Sequence, residues 1–350
     1  MVALESTTNT FLGWAVSQGI ETPLHLSHRT GFGRYYTTCK VESIAVDDDI
    51  LRIPISACIK SDTLESLAER LSYERKKEGA STWAPYINVL PKLDDFKSSL
   101  PRFWDTKRLE TITDGGQLEA RMIKDDRKGI DPWALACVDC RANYLGENYA
   151  MTPMLDMISH DGSVSTRAKV KEEPGLESSV GQGGVLCLTS GRSYFQGEEV
   201  FISYGNLSNL DTLADYGFVT KDNPCNSETI NIQMMRKPPF TATINADGTI
   251  DQGAEATLRW YFADKDELEI FTSLENGSGL GILSKPLSDR NELDVQSFIA
   301  STLDEAAYNA KSGATEIGDD ETIRLYLSER SKLLYSGVEK IKAKFPDMDY

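Results

Sequence analysis

"SYGNLSNLDTLADYGF", residues 203–218, sets two tyrosines around a polar turn and a short amphipathic run. Tyr204 follows directly on the strand-like "EEVFIS", and Tyr216 directly precedes Gly217. A phenol in a turn beside a core needs a hydrogen-bond partner for its hydroxyl. These two therefore either cap a core or face a site, and the sequence on either side decides which.

Outward from that stretch, β-like segments come in two groups. The first runs from Leu24 to Ile59 as "LHLSH", "FGRYYTT", "ESIAV" and "ILRIPIS", punctuated by "TGFG" and an acidic turn. The second holds "TRAKV", "VLCLTS" and "EEVFISY", with the polar loop "EEPGLESSVGQGG" between the first two. Helical pattern separates the groups. "SDTLESLAERLSYERKKEGASTWAPYINVLP" reads as helix capped at Ser61 or Asp62, and "DPWALACVDCRANYL" as a helix opened by Asp131 and Pro132. Before all of these, "TNTFLGWAVSQGI" reads as an amphipathic helix capped at Thr8 or Asn9 and stopped at Gly19. After Pro224 come the strand-like "ETINIQMM" and "FTATIN", then mostly helix, ending in a long amphipathic helix with a basic finish. The expectation is an α+β protein: one β-rich unit split by a helical insertion, followed by a mostly helical C-terminal unit.

Composition narrows the function classes. With 350 residues and 40% hydrophobic content, the chain can bury a sizeable core. A formal net charge of −17 argues against a nucleic-acid surface. There is no run of about 20 apolar residues, so no membrane span is expected. The first residues lack both a basic n-region with an apolar core and an Arg-rich transit pattern. Either the protein works where it is made, or a presequence lies outside these residues. The six cysteines are scattered, as in a reducing compartment. "CVDC" at 137–140 has no second pair at zinc-ribbon distance and reads as two ordinary helix cysteines. No metal is expected.

Four segments can carry chemistry. "RTGFGRYY" (29–36) is a Gly-rich turn where backbone can approach a ligand, although most such turns are only turns. "DCRANY" (139–144) places Arg141 at a helix end amid apolar residues, for a structural ion pair or a ligand carboxylate. "TPMLDMISHDGS" (152–163) holds Ser159 and His160, and a hydrogen-bonded core histidine is the plain reading. The fourth is the opening stretch.

In this order the four resemble the SET-domain lysine methyltransferases, in the branch related to the Rubisco large-subunit methyltransferase. "GFGRYYTTCKVESIAVDDDILRIP" is similar to the family's first cofactor loop and strand pair. "STWAPYINVLP" and "LPRFWDTKRLETI" look like its helical insertion, "PMLDMISH" its Asn-His motif, and "GEEVFISYGNLSNLDTLADYGF" its closing tyrosine motif. One departure stands out, since Ser159 occupies the usual asparagine position. A hydroxyl is shorter than an amide and has one donor instead of two.

The resemblance implies a SET domain in two parts, 1–60 and 131–226, around an insertion at 61–130, with a substrate-binding domain at 227–350. It implies methyl transfer from S-adenosyl-L-methionine to a lysine of a non-histone protein. Tyr204 would be the catalytic tyrosine and would also touch the cofactor. Gly31, Phe32 and Gly33 would lie along the cofactor, Arg141 would hold its carboxylate, and Ser159 and His160 would close the other side. The imidazole of His160 need not be a base. Tyr216 would wall the lysine channel with Phe218 beside it. The implied partner is a protein substrate held by the C-terminal domain, with neither nucleic acid nor membrane. The implied setting is intracellular and soluble: a plastid by resemblance, otherwise cytoplasm or nucleus. Two alternatives stand beside this reading: Ser159 favours a SET-like binding module without turnover, and the resemblance also admits a methyltransferase acting on protein histidine.

Overall fold

A computed structural model describes residues 2–29, 33–37, 43–122, 127–171, 184–272, 281 and 283–346. Among them no helix is long and apolar enough to cross a membrane. The chain forms two compact units, one of Met1–Ser99 with Lys124–Asn206, the other of Leu100–Ile123 with Leu207–Tyr350.

The first unit is built from short strands. β1 (His25–Arg29) pairs antiparallel with β2 (Gly33–Thr37). β3 (Asp49–Pro54) lies beside β9 (Val185–Thr189), which also pairs with β8 (Arg167–Lys171). In that sheet Leu51 faces Leu188 and Ile53 faces Leu186. Side chains alternate across a strand, so the register gathers these four apolar residues on one face, and all four are buried. β4 (Ile59–Ser61), β6 (Tyr149–Met151) and β5 (Ala142–Tyr144) make a second three-stranded sheet. The smallest pair is parallel: β7 (Ser159–His160) against β10 (Phe201–Ile202).

Helices differ from the sequence expectation in their limits. The N-terminal helix spans Val2–Ser17, so it starts ahead of Thr8. Nothing from Val2 to Thr7 breaks a helix, and it stops where Gly19 adopts φ +77°. The stretch expected as one helix over 61–91 is broken into Leu64–Lys76, a tight turn Glu78–Ala80 and Ala84–Ile87. Thr63, rather than Ser61 or Asp62, is the cap; its hydroxyl accepts from the Ser66 N–H at 3.1 Å. Gly79 and Pro85 explain the interruptions, since neither sustains a helix interior. Helix Pro132–Arg141 begins as expected, with Asp131 accepting from the Trp133 N–H at 3.0 Å. Cys137 is buried on it, which pushes its thiol well above the ordinary range. Among the described residues no cluster of side chains suits a metal ion.

The second unit centres on the helices Asp289–Glu316 and Glu321–Lys344. The hairpin of β11 (Ser227–Ile232) and β12 (Phe240–Asn245) packs against them through Ile230, Ile232, Ala242 and Ile244. A second cluster packs Leu213 and Ala214 against Trp104, Leu118, Tyr326 and Leu327. Polar anchors fix the same segment. Arg121 reaches Asp211 at 3.0 Å and Asp215 at 2.5 Å. Deeper in, Arg330 donates to Glu228 at 2.8 Å and to the backbone carbonyls of Thr113 and Asp114. Burial pushes the Glu228 carboxyl up to about 7, against the pull of Arg330.

Removing one partner of such a pair leaves an uncompensated buried charge. Arg330→Met should therefore lower the unfolding free energy by about 3–5 kcal/mol. Adding Glu228→Leu should recover part of that loss, because no charge then remains buried alone. Denaturant titrations in which the double variant is no more stable than the single one would contradict this account of the unit.

Candidate active site

The parallel pair β7–β10 brings two distant segments of the first unit together. Phe201 stands opposite Ser159, and Ile202 opposite His160. The Asp161 N–H donates to the Ile202 carbonyl at 3.0 Å and extends the pairing by one residue. Beyond Ile202 the chain turns sharply, with Gly205 at φ +133°, a conformation that a side chain rarely permits. The Ser203 N–H is held by the Thr166 hydroxyl at 2.9 Å.

Within this turn Tyr204 is fixed at both ends. Its backbone N–H donates to Nδ1 of His160 at 3.0 Å, and its hydroxyl donates to the Ile158 carbonyl at 2.6 Å. The two rings lie 5.0 Å apart. A phenol whose proton points at a carbonyl presents its oxygen as an acceptor to whatever else approaches. Because Nδ1 accepts, the neutral imidazole carries its proton on Nε2. Burial pulls the His160 pKa below its ordinary value, so the ring is neutral near pH 7. Its role here is to hold backbone.

Ser159 points the other way along the strand and donates to Glu199 Oε1 at 2.7 Å. Glu199 is itself bridged to Thr37, the last residue of β2. β2 begins at Gly33 and passes beside the turn Leu155–Met157. Gly31 and Phe32 lie outside the described residues.

That turn reaches Arg141. It starts from Met154 at φ +73°, a strained backbone for a residue with a side chain. Arg141 Nη1 donates to the Asp156 carbonyl at 2.5 Å and stands 3.8 Å from its carboxylate. The Asp156 side chain is wholly buried. Tyr86 donates to its Oδ2 at 2.7 Å. Burial pushes the Asp156 carboxyl up to about 6, while Arg141 and Tyr86 pull it down. Two atoms are enclosed without a hydrogen-bond partner: Arg141 Nε and Asp156 Oδ1. Arg141 Nη2 is not enclosed, and among the described residues nothing accepts from it. The guanidinium thus turns one unsatisfied donor outward, which suits a ligand carboxylate.

The structure therefore brings Arg141, Ser159, His160 and Tyr204 together in one unit. Tyr216 and Phe218 belong to the other unit, where their rings lie 6.1 Å apart and tilted by 56°. Tyr216 ends one π-helical turn, Thr212–Tyr216, which Gly217 closes at φ +76° just before Phe218. Leu213 and Ala214 are buried there, and the two tyrosine-motif aromatics are left half-buried. Sequence reasoning missed Tyr86, Asp156 and Glu199. Asp156 carried a signal, since a carboxylate inside the apolar run "PMLDMI" must find a partner when buried. Tyr86 and Glu199 act across 70 and 40 residues of chain, and nothing local announces them.

No protein-family model matches the chain. Individual relatives do. The chloroplastic ribulose-1,5-bisphosphate carboxylase/oxygenase large subunit N-methyltransferase of Pisum sativum is 25% identical over 68% of this chain. The chloroplastic [fructose-bisphosphate aldolase]-lysine N-methyltransferase of Arabidopsis thaliana is 26% identical over 71%. The matches span only 56% and 59% of those two proteins. The N-lysine methyltransferase setd6 of Xenopus laevis is 22% identical over 92% of this chain and 80% of its own. Among solved structures, the SET domain of LSMT bound to lysine and AdoHcy superimposes with a TM-score of 0.70 at 20% identity. It covers 99% of this chain and 93% of that one. By sequence and by fold, this chain is similar to the SET-domain proteins of the Rubisco large-subunit methyltransferase kind.

Proposed function

We propose that the protein is an S-adenosylmethionine-dependent N-methyltransferase acting on a lysine of a non-histone protein. The observation that carries this reading is the two-ended anchoring of Tyr204 beside an Arg141 with an outward donor. When bound, S-adenosylmethionine supplies an electrophilic methyl group on a sulfonium sulfur. Arg141 would take its carboxylate through Nη2. Ser159, His160 and the backbone of Gly31, Phe32 and Gly33 would line the rest of its site.

The attacking lysine must arrive as the neutral amine, although its ordinary pKa is about 10.4. An apolar surrounding favours that form by penalising the ammonium. We assign the tilted pair Tyr216 and Phe218 as the aromatic surface for the lysine stem. The Tyr204 oxygen accepts from the amine N–H or the polarised methyl and so fixes the line of attack. With the cofactor bound, Tyr204 would hold the amine in line with the methyl group that the sulfonium supplies, and solvent would take the proton given up by the lysine nitrogen. Rate acceleration rests chiefly on the alignment of two bound reactants.

Residues 227–350 are proposed as the surface that holds the protein substrate, because a side-chain channel alone cannot choose one lysine among many. A plastid setting follows the chloroplastic relatives. One observation favours a second reading, a binding module without turnover: the only proton of the Ser159 hydroxyl is directed at Glu199.

Calorimetry should detect S-adenosylmethionine binding, weakened in Arg141→Ala by about 1.5–3 kcal/mol, the scale for a hydrogen bond to a charged group. Tyr204→Phe should keep that binding and lose methyl transfer into lysate protein, read as incorporated label. A Tyr204→Phe protein that retains most of the transfer rate returns Tyr204 to a purely structural role.

Asparagine at 159 can donate one N–H to Glu199 and present the second to a ligand. Ser159→Asn is therefore expected to bind S-adenosylmethionine more tightly than the natural chain. Weaker binding would mean that the loop is built around serine and that the family analogy fails at this position.

A further inference from the structure

We propose that Asp156 is a positioning residue for Arg141: its buried carboxylate sets how strongly the guanidinium takes the ligand carboxylate, and thereby couples cofactor affinity to pH. The inference rests on the S-adenosylmethionine reading above and goes beyond it.

The geometry is that of a pair which can be tipped. Arg141 is held mainly through the Asp156 carbonyl, at 2.5 Å, and only loosely through the carboxylate, at 3.8 Å. Placement of the guanidinium therefore depends on the backbone, and its net charge depends on the carboxylate. The carboxylate is incompletely satisfied. Oδ2 accepts from Tyr86, while Oδ1 is enclosed with no partner. An enclosed lone oxygen favours a proton on this group, in line with a carboxyl pushed up to about 6.

The titratable groups facing Asp156 are few. Helix Pro132–Arg141 contributes Arg141 and Cys137, helix Ala84–Ile87 contributes Tyr86, and Cys58 precedes β4. Tyr204 acts on the same cluster through Arg141. Burial holds the thiols of Cys58 and Cys137 and the phenol of Tyr86 in their protonated forms near neutral pH. Asp156 is thus the member of this set that changes charge between pH 5 and 7.

The sign follows. When Asp156 is ionised, it cancels part of the positive potential that Arg141 offers a ligand. A carboxylate arriving at Nη2 raises Asp156 further, because like charges disfavour the ionised form. Binding then takes up a proton, and affinity rises as pH falls. Tyr86 sets the midpoint, since its hydroxyl stabilises the ionised form, and removing it moves the midpoint upward.

The test is calorimetry of the full chain with S-adenosylmethionine between about pH 5 and pH 6.8, a range that brackets the carboxyl's shifted value and ends about one pH unit below the ligand's own amine titration. The natural protein should lose at least about threefold in affinity across that range, a loss that a purely structural role would not produce. Asp156→Asn, which keeps the carbonyl and can still accept from Tyr86, should bind with a shallower profile, any residual slope being that of His160, and more tightly at the upper end. Tyr86→Phe should keep the slope and shift it to higher pH, which preserves the test if the Asn variant misfolds. If the natural protein and Asp156→Asn share one slope, or if Tyr86→Phe leaves the midpoint in place, the inference is overturned. If no binding occurs at any pH, the cofactor reading itself falls.

Discussion

Two residues of parallel strand, Ser159–His160 beside Phe201–Ile202, are the constraint on which the candidate site depends. So short a pairing is weak by itself, and three hydrogen bonds from the same neighbourhood reinforce it. Asp161 donates to Ile202, Tyr204 to the His160 ring, and the Tyr204 hydroxyl to Ile158. Each is worth about 0.5–1.5 kcal/mol in net terms, so their main effect is placement. Together they leave Tyr204 little freedom of direction.

The electrostatics follow the same logic of enclosure. Asp156 is buried and Arg141 largely so, where a charge without a partner is unfavourable, yet their pairing is imperfect. The second unit offers a contrast. There Arg330 and Glu228 meet at 2.8 Å, with Arg330 further bound to three carbonyls. A nearly satisfied ionic cluster stiffens a core, whereas a cluster with orphaned atoms beside an open donor is suited to a ligand.

Much of this was legible in the sequence. The α+β class, the strand groups on either side of the helical stretch and the ordered motifs could be read from alternation, capping residues and family resemblance. Local signals were enough because each is written in consecutive residues: Asp131 before Pro132 at a helix start, Gly19 at a helix stop. Partners distant in the chain could not be read. Tyr86 beneath Asp156 and Glu199 beside Ser159 are products of folding. The grouping of residues 100–123 with the C-terminal helices was likewise hidden, because Arg121 finds Asp211 and Asp215 only in three dimensions. For the same reason a cut at residue 226 would divide the packing around Leu213.

The central claim is that this scaffold moves a methyl group onto a lysine nitrogen. Its most direct measurement is incubation of the purified chain with isotope-labelled S-adenosylmethionine and native lysate, followed by tandem mass spectrometry of the labelled protein. The account predicts label on the side-chain nitrogen of a specific lysine. Label on a histidine ring nitrogen, or none despite measurable cofactor binding, would contradict it.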